Sequence, residues 1–239
     1  MPTIRLHSLS VRYGARWALR DASFAIRPGE ILGLIGPNGS GKTTLFRALA
    51  GLLPATGGTV TVDGAPSSPY DRGRHLYFVP DGIRPWPDQT VGEVLRFVAG
   101  VHGAPAAACA EAVARLGLAP LAGARLGTLS KGEHRRAMTA IGLLTPAPLL
   151  MLDEPFDGLD LRQTREAMAV LRDHAAHAGR TLFLSVHQLG DAARVCDRLV
   201  LLSGGRVVGA GTVAELREAA GVPAGTAAGG LDEVFLALT

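Results

Sequence analysis

The chain has 239 residues, 47% of them hydrophobic, which is enough to bury a substantial core as one large α/β domain or two small ones. Its formal charge of +3 comes from scattered basic residues, and only 5% of residues are aromatic, so no nucleic-acid partner is expected. Cys109 and Cys196 form neither a metal spacing nor a disulfide framework and read as reduced thiols.

The first residues, MPTIRLHSLSVRYGAR, lack the apolar centre of a secretory signal. Ile4–Tyr13 and Ser23–Ile26 alternate apolar and polar residues around a turn at Tyr13-Gly14, which predicts a small antiparallel β layer. Ile31–Ile35 is nearly all apolar, as in a strand buried on both faces of a parallel sheet. Leu149–Leu152, Thr181–Val186 and Leu199–Leu202 read the same way.

The segment GLIGPNGSGKTTL follows the first of these runs and precedes a helix starting near Lys42. It fits G-x-x-x-x-G-K-[ST] as Gly36, Gly41, Lys42 and Thr43, in the strand–loop–helix setting this pattern requires. Gly36, Gly39 and Gly41 let successive backbone N–H groups turn toward phosphate oxygens. Lys42 supplies a point charge to the β- and γ-phosphates, and Thr43 offers a hydroxyl to Mg²⁺. The reading is a nucleoside triphosphate site.

From Gly82 to Ala147 the pattern is helical, a subdomain of about 82–147 inserted in a sheet-based core. Thr90 and Glu93 form one capping box, followed by Val91, Val94, Leu95, Val98 and Val101 at helical spacing. A second helix is expected over Ala106–Leu116. A third opens in TLSKGEHRRAM, where Ser130 and Glu133 form another capping box. Lys131, His134, Arg135 and Arg136 crowd its start and suggest a second anion seat at a helix N-terminus. The longest uncharged stretch, Ala137–Leu152, contains Pro146 and Pro148 and falls short of the ~20 residues a membrane span needs.

LLMLDEP sets Asp153 and Glu154 at the end of a buried strand, where parallel sheets bind ligands. Alone, the two acids would read as a cap for the next segment. Beside a phosphate loop, Asp153 reads as holding the metal, directly or through water, and Glu154 as polarising an attacking water. TLFLSVH ends in His187, which alone would read as structural and in this company reaches toward the γ-phosphate. Residues 1–220 are read as one domain. Gly221–Gly230 is a linker rich in Gly and Ala that leads into a short helix, Leu231–Leu238.

In this order the motifs resemble those of ABC-type ATPases, the nucleotide-binding subunits of ATP-binding-cassette transporters. The likeness rests on the loop Gly36–Thr44, the stretch Leu129-Ser130-Lys131-Gly132-Glu133, the pair Asp153-Glu154, the segment Phe156–Asp160, and His187; Tyr13 matches the aromatic that stacks on adenine. It implies an α/β fold: a P-loop NTPase core with a mostly parallel sheet, an N-terminal antiparallel β layer and the helical insertion. It implies ATP and Mg²⁺, with Lys42, Glu154 and His187 catalytic. Tyr13, Gly36, Asn38, Gly39, Ser40, Gly41, Lys42, Thr43, Thr44, Ser130, Gly132 and Asp160 would hold nucleotide, and Thr43, Asp153 and Asp81 would hold metal.

The resemblance also accounts for the second anion seat. In that family two cassettes, identical or homologous, pair head to tail, and the helix start at Ser130 closes on the partner's nucleotide. Separate transmembrane permease subunits and a peripheral position on the cytoplasmic face of the inner membrane follow from it. The insertion with TVGEVLRFVAGVHG resembles exporter-type cassettes.

Two positions depart from the family pattern. Asp81 stands where Gln is usual and reads either as a ligand of the metal or its waters or as a loop acid facing solvent. Ser-Lys-Gly-Glu replaces the commoner Ser-Gly-Gly-Gln. A competing reading is a soluble ABC ATPase that remodels a ribosome or DNA ends or assembles an iron–sulfur scaffold. A P-loop kinase would leave the Ser130 stretch and His187 unexplained.

Overall fold

The alternating residues at the N-terminus pair as a hairpin of β1 (Ile4–Tyr13) and β2 (Arg16–Ile26), closed where Tyr13 faces Arg16. The register breaks between Leu6 and Leu9, where Ser8 takes a positive φ of 49°. The turn is where the sequence places it, and β2 begins seven residues before the expected Ser23. Two further strands, β4 (Gly57–Val62) and β5 (Ala65–Pro66), complete an antiparallel sheet of order β2-β1-β4-β5.

The computed structural model describes residues 1–222 and 230–238, so most of the expected linker at 221–230 lies outside the described residues. The four apolar runs become β3 (Ile31–Ile35), β7 (Leu149–Leu152), β8 (Thr181–Ser185) and β9 (Arg198–Ser203). With β6 (Leu76–Val79) and β10 (Arg206–Gly211) they form a sheet of order β10-β9-β3-β8-β7-β6. All neighbours are parallel except the edge pair β10–β9. The sequence reading did not identify β4, β5, β6 or β10. These are short or glycine-containing strands, and β6 is only half-buried at its two central residues.

Period two divides the core. Leu32 and Leu34 of β3 face a cluster shared with β1, β2 and helix α1 (Lys42–Leu49), whereas Ile31 and Ile35 face the opposite cluster. Helix α2 (Pro69–Arg72) is a single turn. Between β6 and β7 the chain runs through α3 (Val91–His102), α4 (Ala106–Arg115) and α5 (Lys131–Leu143), which add their apolar faces to the second cluster. Both expected capping boxes form, at Thr90 and Ser130. Val101 was expected on the buried stripe of α3 but is 62% exposed. At 100° per residue it lies on the margin of the stripe drawn by Val91, Val94, Leu95 and Val98, one residue from the helix end.

Helices α6 (Leu161–Ala178) and α7 (Leu189–Val195) cover the same face, followed by α8 (Val213–Ala219) and α9 (Gly230–Leu238). The last of these is the expected terminal helix. Among the described residues no helix is long and apolar enough to cross a membrane.

Phe46 of α1 is fully buried. Its ring lies 4.6 Å from that of Phe183 and 5.6 Å from that of Phe78, locking the helix onto β8 and β6. Phe46→Ala is expected to lower unfolding stability by about 3–5 kcal/mol, measured by denaturant titration; a loss under about 1 kcal/mol would mean the helix is held by other contacts.

Candidate functional site

The carboxyl ends of β3, β7 and β8 lie side by side, and the chemistry-bearing residues of three separate stretches meet there. The loop after β3 folds as tightly as its glycines allow. A Cβ on Gly36 would sit 2.2 Å from the Leu202 carbonyl oxygen and 2.5 Å from Ser40 Oγ. Gly41 has φ +107°, and a Cβ there would lie 2.5 Å from the Ala18 carbonyl oxygen. Ser40 is buried behind the loop, and its Oγ has no hydrogen-bond partner among the described residues.

Helix α1 starts at Gly41 with no side-chain cap and no acidic residue in its first turn, so its N-terminal donors face the cleft unopposed. Lys42 Nζ donates to the carbonyls of Gly36 at 2.7 Å and Pro37 at 3.3 Å. An ammonium has three protons, so one remains for a phosphate. Burial lowers the Lys42 pKa, and the charges of Glu154 and Asp153 push it back up.

A cleft of about 620 Å³ opens over this loop. Tyr13, Asn38, Gly39, Gly41, Lys42, Thr43, Thr44 and Glu154 line it, with Trp17 and the Gly204-Gly205 turn. Tyr13 ends β1 with 51% of its surface exposed, an open aromatic face at the mouth of the cleft. Trp17 is steadied by the Arg12 guanidinium 5.4 Å over its ring.

Asp153 is almost fully buried, and both carboxylate oxygens are held: Thr43 Oγ1 donates to Oδ2 at 3.1 Å and Ser185 Oγ to Oδ1 at 2.5 Å. Ser185 Oγ also accepts from the Glu154 N–H at 2.8 Å. A hydroxyl beside a carboxylate is a hard-oxygen pair of the kind that holds Mg²⁺ together with substrate phosphates, so these residues fit that ion. Glu154 sits at φ +55°, a conformation that costs a non-glycine residue about 1–2 kcal/mol and aims its side chain across the strand ends. Its Oε1 lies 2.6 Å from His187 Nε2. An ionised carboxylate only accepts, so this contact puts a proton on Nε2. Both residues line a pocket of about 130 Å³ together with Asp157 and Ser185.

The start of α5 forms its expected capping box and draws most of its basic residues into contacts within the chain. Ser130 is exposed, with its hydroxyl capping the Glu133 N–H at 3.3 Å. Gly132 is buried against the next loop, where a Cβ would come within 2.6 Å of the Gly158 carbonyl oxygen. Three of the cations assigned to the second anion seat are engaged within the chain. Lys131 pairs with Asp157 at 2.5 Å, which holds that carboxyl below its usual pKa, Arg136 donates to the carbonyls of Leu116 and Gly117, and Arg135 turns inward. Burial, then the nearby charges of Arg84 and Arg135, lower the pKa of His134. Ser130 and the helix N-terminus remain for an anion, and His134 Nε2 is buried with no hydrogen-bond partner among the described residues.

Asp81 and Asp160 also have partners of their own. Asp81 Oδ1 accepts from Arg135 Nη2 at 2.6 Å, and Asp160 Oδ1 caps α6 by accepting from the Gln163 N–H at 2.8 Å. The sequence reading did not identify Ser185 or the inward role of Arg135. Ser185 carried a signal, as a hydroxyl at the end of a strand that Thr181 opens and that is otherwise apolar, two residues before His187.

A family model described as ABC transporter matches residues 19–157, and the chain belongs to that family of ATP-binding proteins. It is 35% identical over 218 residues to the cobalamin import ATP-binding protein of Halobacterium salinarum, a match covering 87% of this chain and 55% of that one. It is 36% identical over 221 residues to a fluoroquinolones export ATP-binding protein of Mycobacterium tuberculosis, covering 90% and 72%. The chain thus spans about half the length of the first relative. A solved structure of an ATP binding subunit of an ABC transporter superposes with a TM-score of 0.85 at 29% identity, covering 98% of each chain.

Removing Ser185 Oγ strips one support from Asp153 and leaves the Glu154 N–H unpaired, a loss of about 1–3 kcal/mol. For Ser185→Ala, ATP turnover is expected to fall on the order of tenfold or more while the ATP Kd moves by only a few-fold. Steady-state kinetics beside equilibrium titration separate the two; unchanged turnover would show that the Asp153 carboxylate keeps its place without Ser185.

Proposed function

We propose that this chain binds and hydrolyses ATP with Mg²⁺ as the ATP-binding subunit of a transporter. The observation that carries the reading is one row of strand ends holding the Lys42 loop, the Thr43–Asp153 contact at 3.1 Å and the Glu154–His187 contact at 2.6 Å. The loop N–H groups and Lys42 hold the phosphates, and Tyr13 offers a stacking face for the base. Thr43 and Asp153 would hold Mg²⁺, which would supply positive charge beside the phosphate oxygens.

Glu154, with one oxygen fixed by His187, takes the proton of a water. That water's oxygen bonds to the γ-phosphorus as the bond to the β–γ bridging oxygen breaks. His187 orients the carboxylate and the water, and Lys42 and the N-terminus of α1 stabilise the growing negative charge.

The reading extends to assembly. A second copy or a homologous cassette faces the exposed start of α5 head to tail, so that Ser130 and the Gly132 backbone close on the partner's γ-phosphate, and hydrolysis removes that contact. Separate permease subunits carry the substrate across the membrane, with this chain peripheral on the cytoplasmic face. Export is the proposed direction, on the likeness of the helical insertion; the two relatives named above include one importer and one exporter.

Glu154→Gln is expected to cut turnover by on the order of 10²–10⁴-fold while ATP still binds. In that slowed background ATP should drive dimerisation, read by light scattering, and adding Ser130→Arg should abolish it without changing the ATP affinity of the monomer. Wild-type turnover in the first variant removes Glu154 as the base, and normal dimerisation in the second removes the role of Ser130.

Tagged protein purified from gently solubilised native membranes is expected to bring down a multi-span partner in stoichiometric amount, identified by mass spectrometry. Ribosomes or an assembly scaffold in its place would leave the hydrolysis intact and overturn transport.

A further inference from the structure

Arg135 lies one turn into α5 with its side chain only 9% exposed, pointing under the strand ends rather than outward. Its Nη1 donates to the main-chain carbonyl of Asp153 at 3.2 Å. Its Nη2 donates to Asp81 Oδ1 at 2.6 Å and lies 3.7 Å from Asp157 Oδ2. One planar guanidinium therefore touches the segment after β6, the end of β7 and the loop before α6. The carbonyl it grips belongs to the residue whose carboxylate is held by Thr43 and Ser185.

A guanidinium this buried is costly without a counter-charge, and a carboxylate oxygen at 2.6 Å supplies one. Asp81 gives one oxygen, Oδ1, to Arg135, and its side chain is 44% exposed. Asp81 also stands where the chain leaves β6 for the helical insertion, so the contact ties that departure to the start of α5.

We propose that Arg135 is a positioning residue for hydrolysis, with Asp81 as its counter-charge rather than a metal ligand. Together they pin the loop at 81 and the start of α5 to the strand end that carries Asp153 and Glu154. The proposal rests on the ATPase reading above. It requires two donors fixed in one planar fork, which arginine has and lysine lacks.

The test is a double-mutant cycle on Asp81→Gln and Arg135→Gln with two readouts. The first is the Tm in EDTA without nucleotide, and the second is kcat, KM and the Mg²⁺ concentration for half-maximal hydrolysis. Each single change is expected to lower the Tm by about 3–8 °C. Each should reduce kcat on the order of tenfold through misplacement of the strand end, with KM and the Mg²⁺ requirement moving by no more than about twofold. The double variant, whose two amides can bond each other, should recover most of the Tm and part of kcat, so the single effects do not add. Arg135→Lys should recover less than the double variant does, and it replaces Arg135→Gln in the cycle if that variant does not fold.

The proposal is overturned if Asp81→Gln raises the Mg²⁺ requirement about tenfold or more at unchanged Tm, which would make Asp81 a metal ligand. Strict additivity of the two changes overturns it as well. If the wild-type chain does not hydrolyse ATP, the ATPase reading falls and with it the positioning role, while the Tm cycle still decides whether the two residues act as a pair.

Discussion

Everything at the strand ends depends on where Asp153 is held. Its carboxylate receives Thr43 from the start of α1 and Ser185 from β8, its carbonyl receives Arg135 from α5, and its N–H donates to the Val79 carbonyl of β6. Four segments far apart in sequence therefore share one residue, and it lies in the low-dielectric interior where each of these bonds is stronger than in water. Removing any partner leaves a buried polar group unsatisfied, so the cluster behaves as a unit. Glu154 inherits its position from this cluster through one further bond, from its N–H to Ser185 Oγ.

The same economy of space governs the glycines. Gly36 has no room for a Cβ because the Leu202 carbonyl and Ser40 Oγ fill it, and Gly132 has none because the Gly158 carbonyl does. The first keeps the loop after β3 close enough to its neighbours for Lys42 to reach back to Gly36 and Pro37. The second brings α5 against the segment that ends at Asp160. A shift at the start of α5 is thereby felt by the loop that carries Asp157, which lines the same pocket as Glu154 and His187.

Local chemistry was legible in the sequence and long-range pairing was not. The capping boxes at Thr90 and Ser130 and the four buried runs each follow from residues close together in the chain, and all of them form. β6 was missed because four residues carry no period that separates strand from helix. Arg135 was grouped with Lys131, His134 and Arg136 in a second anion seat because spacing shows which residues are basic but not which of them points inward. Its partner Asp81 lies 54 residues away in sequence. Asp160, taken from its place in a motif as a ligand of the nucleotide, also caps α6 through the Gln163 N–H, a short-range bond that spacing alone could have shown.

The charges between α5 and the loop before α6 are arranged asymmetrically. Lys131, 61% exposed, holds Asp157 from the solvent side, and Arg135, 9% exposed, approaches the same carboxylate from beneath. Salt and side-chain entropy weaken the outer pair, whereas the inner guanidinium keeps its two shorter bonds, to Asp81 and to the Asp153 carbonyl. The outer contact can therefore open at little cost without disturbing the inner one. Movement of the segment around Asp157 is thus separable from the geometry of Asp153, and a loop at the edge of the site can respond to what lies outside the chain while the buried acid stays fixed.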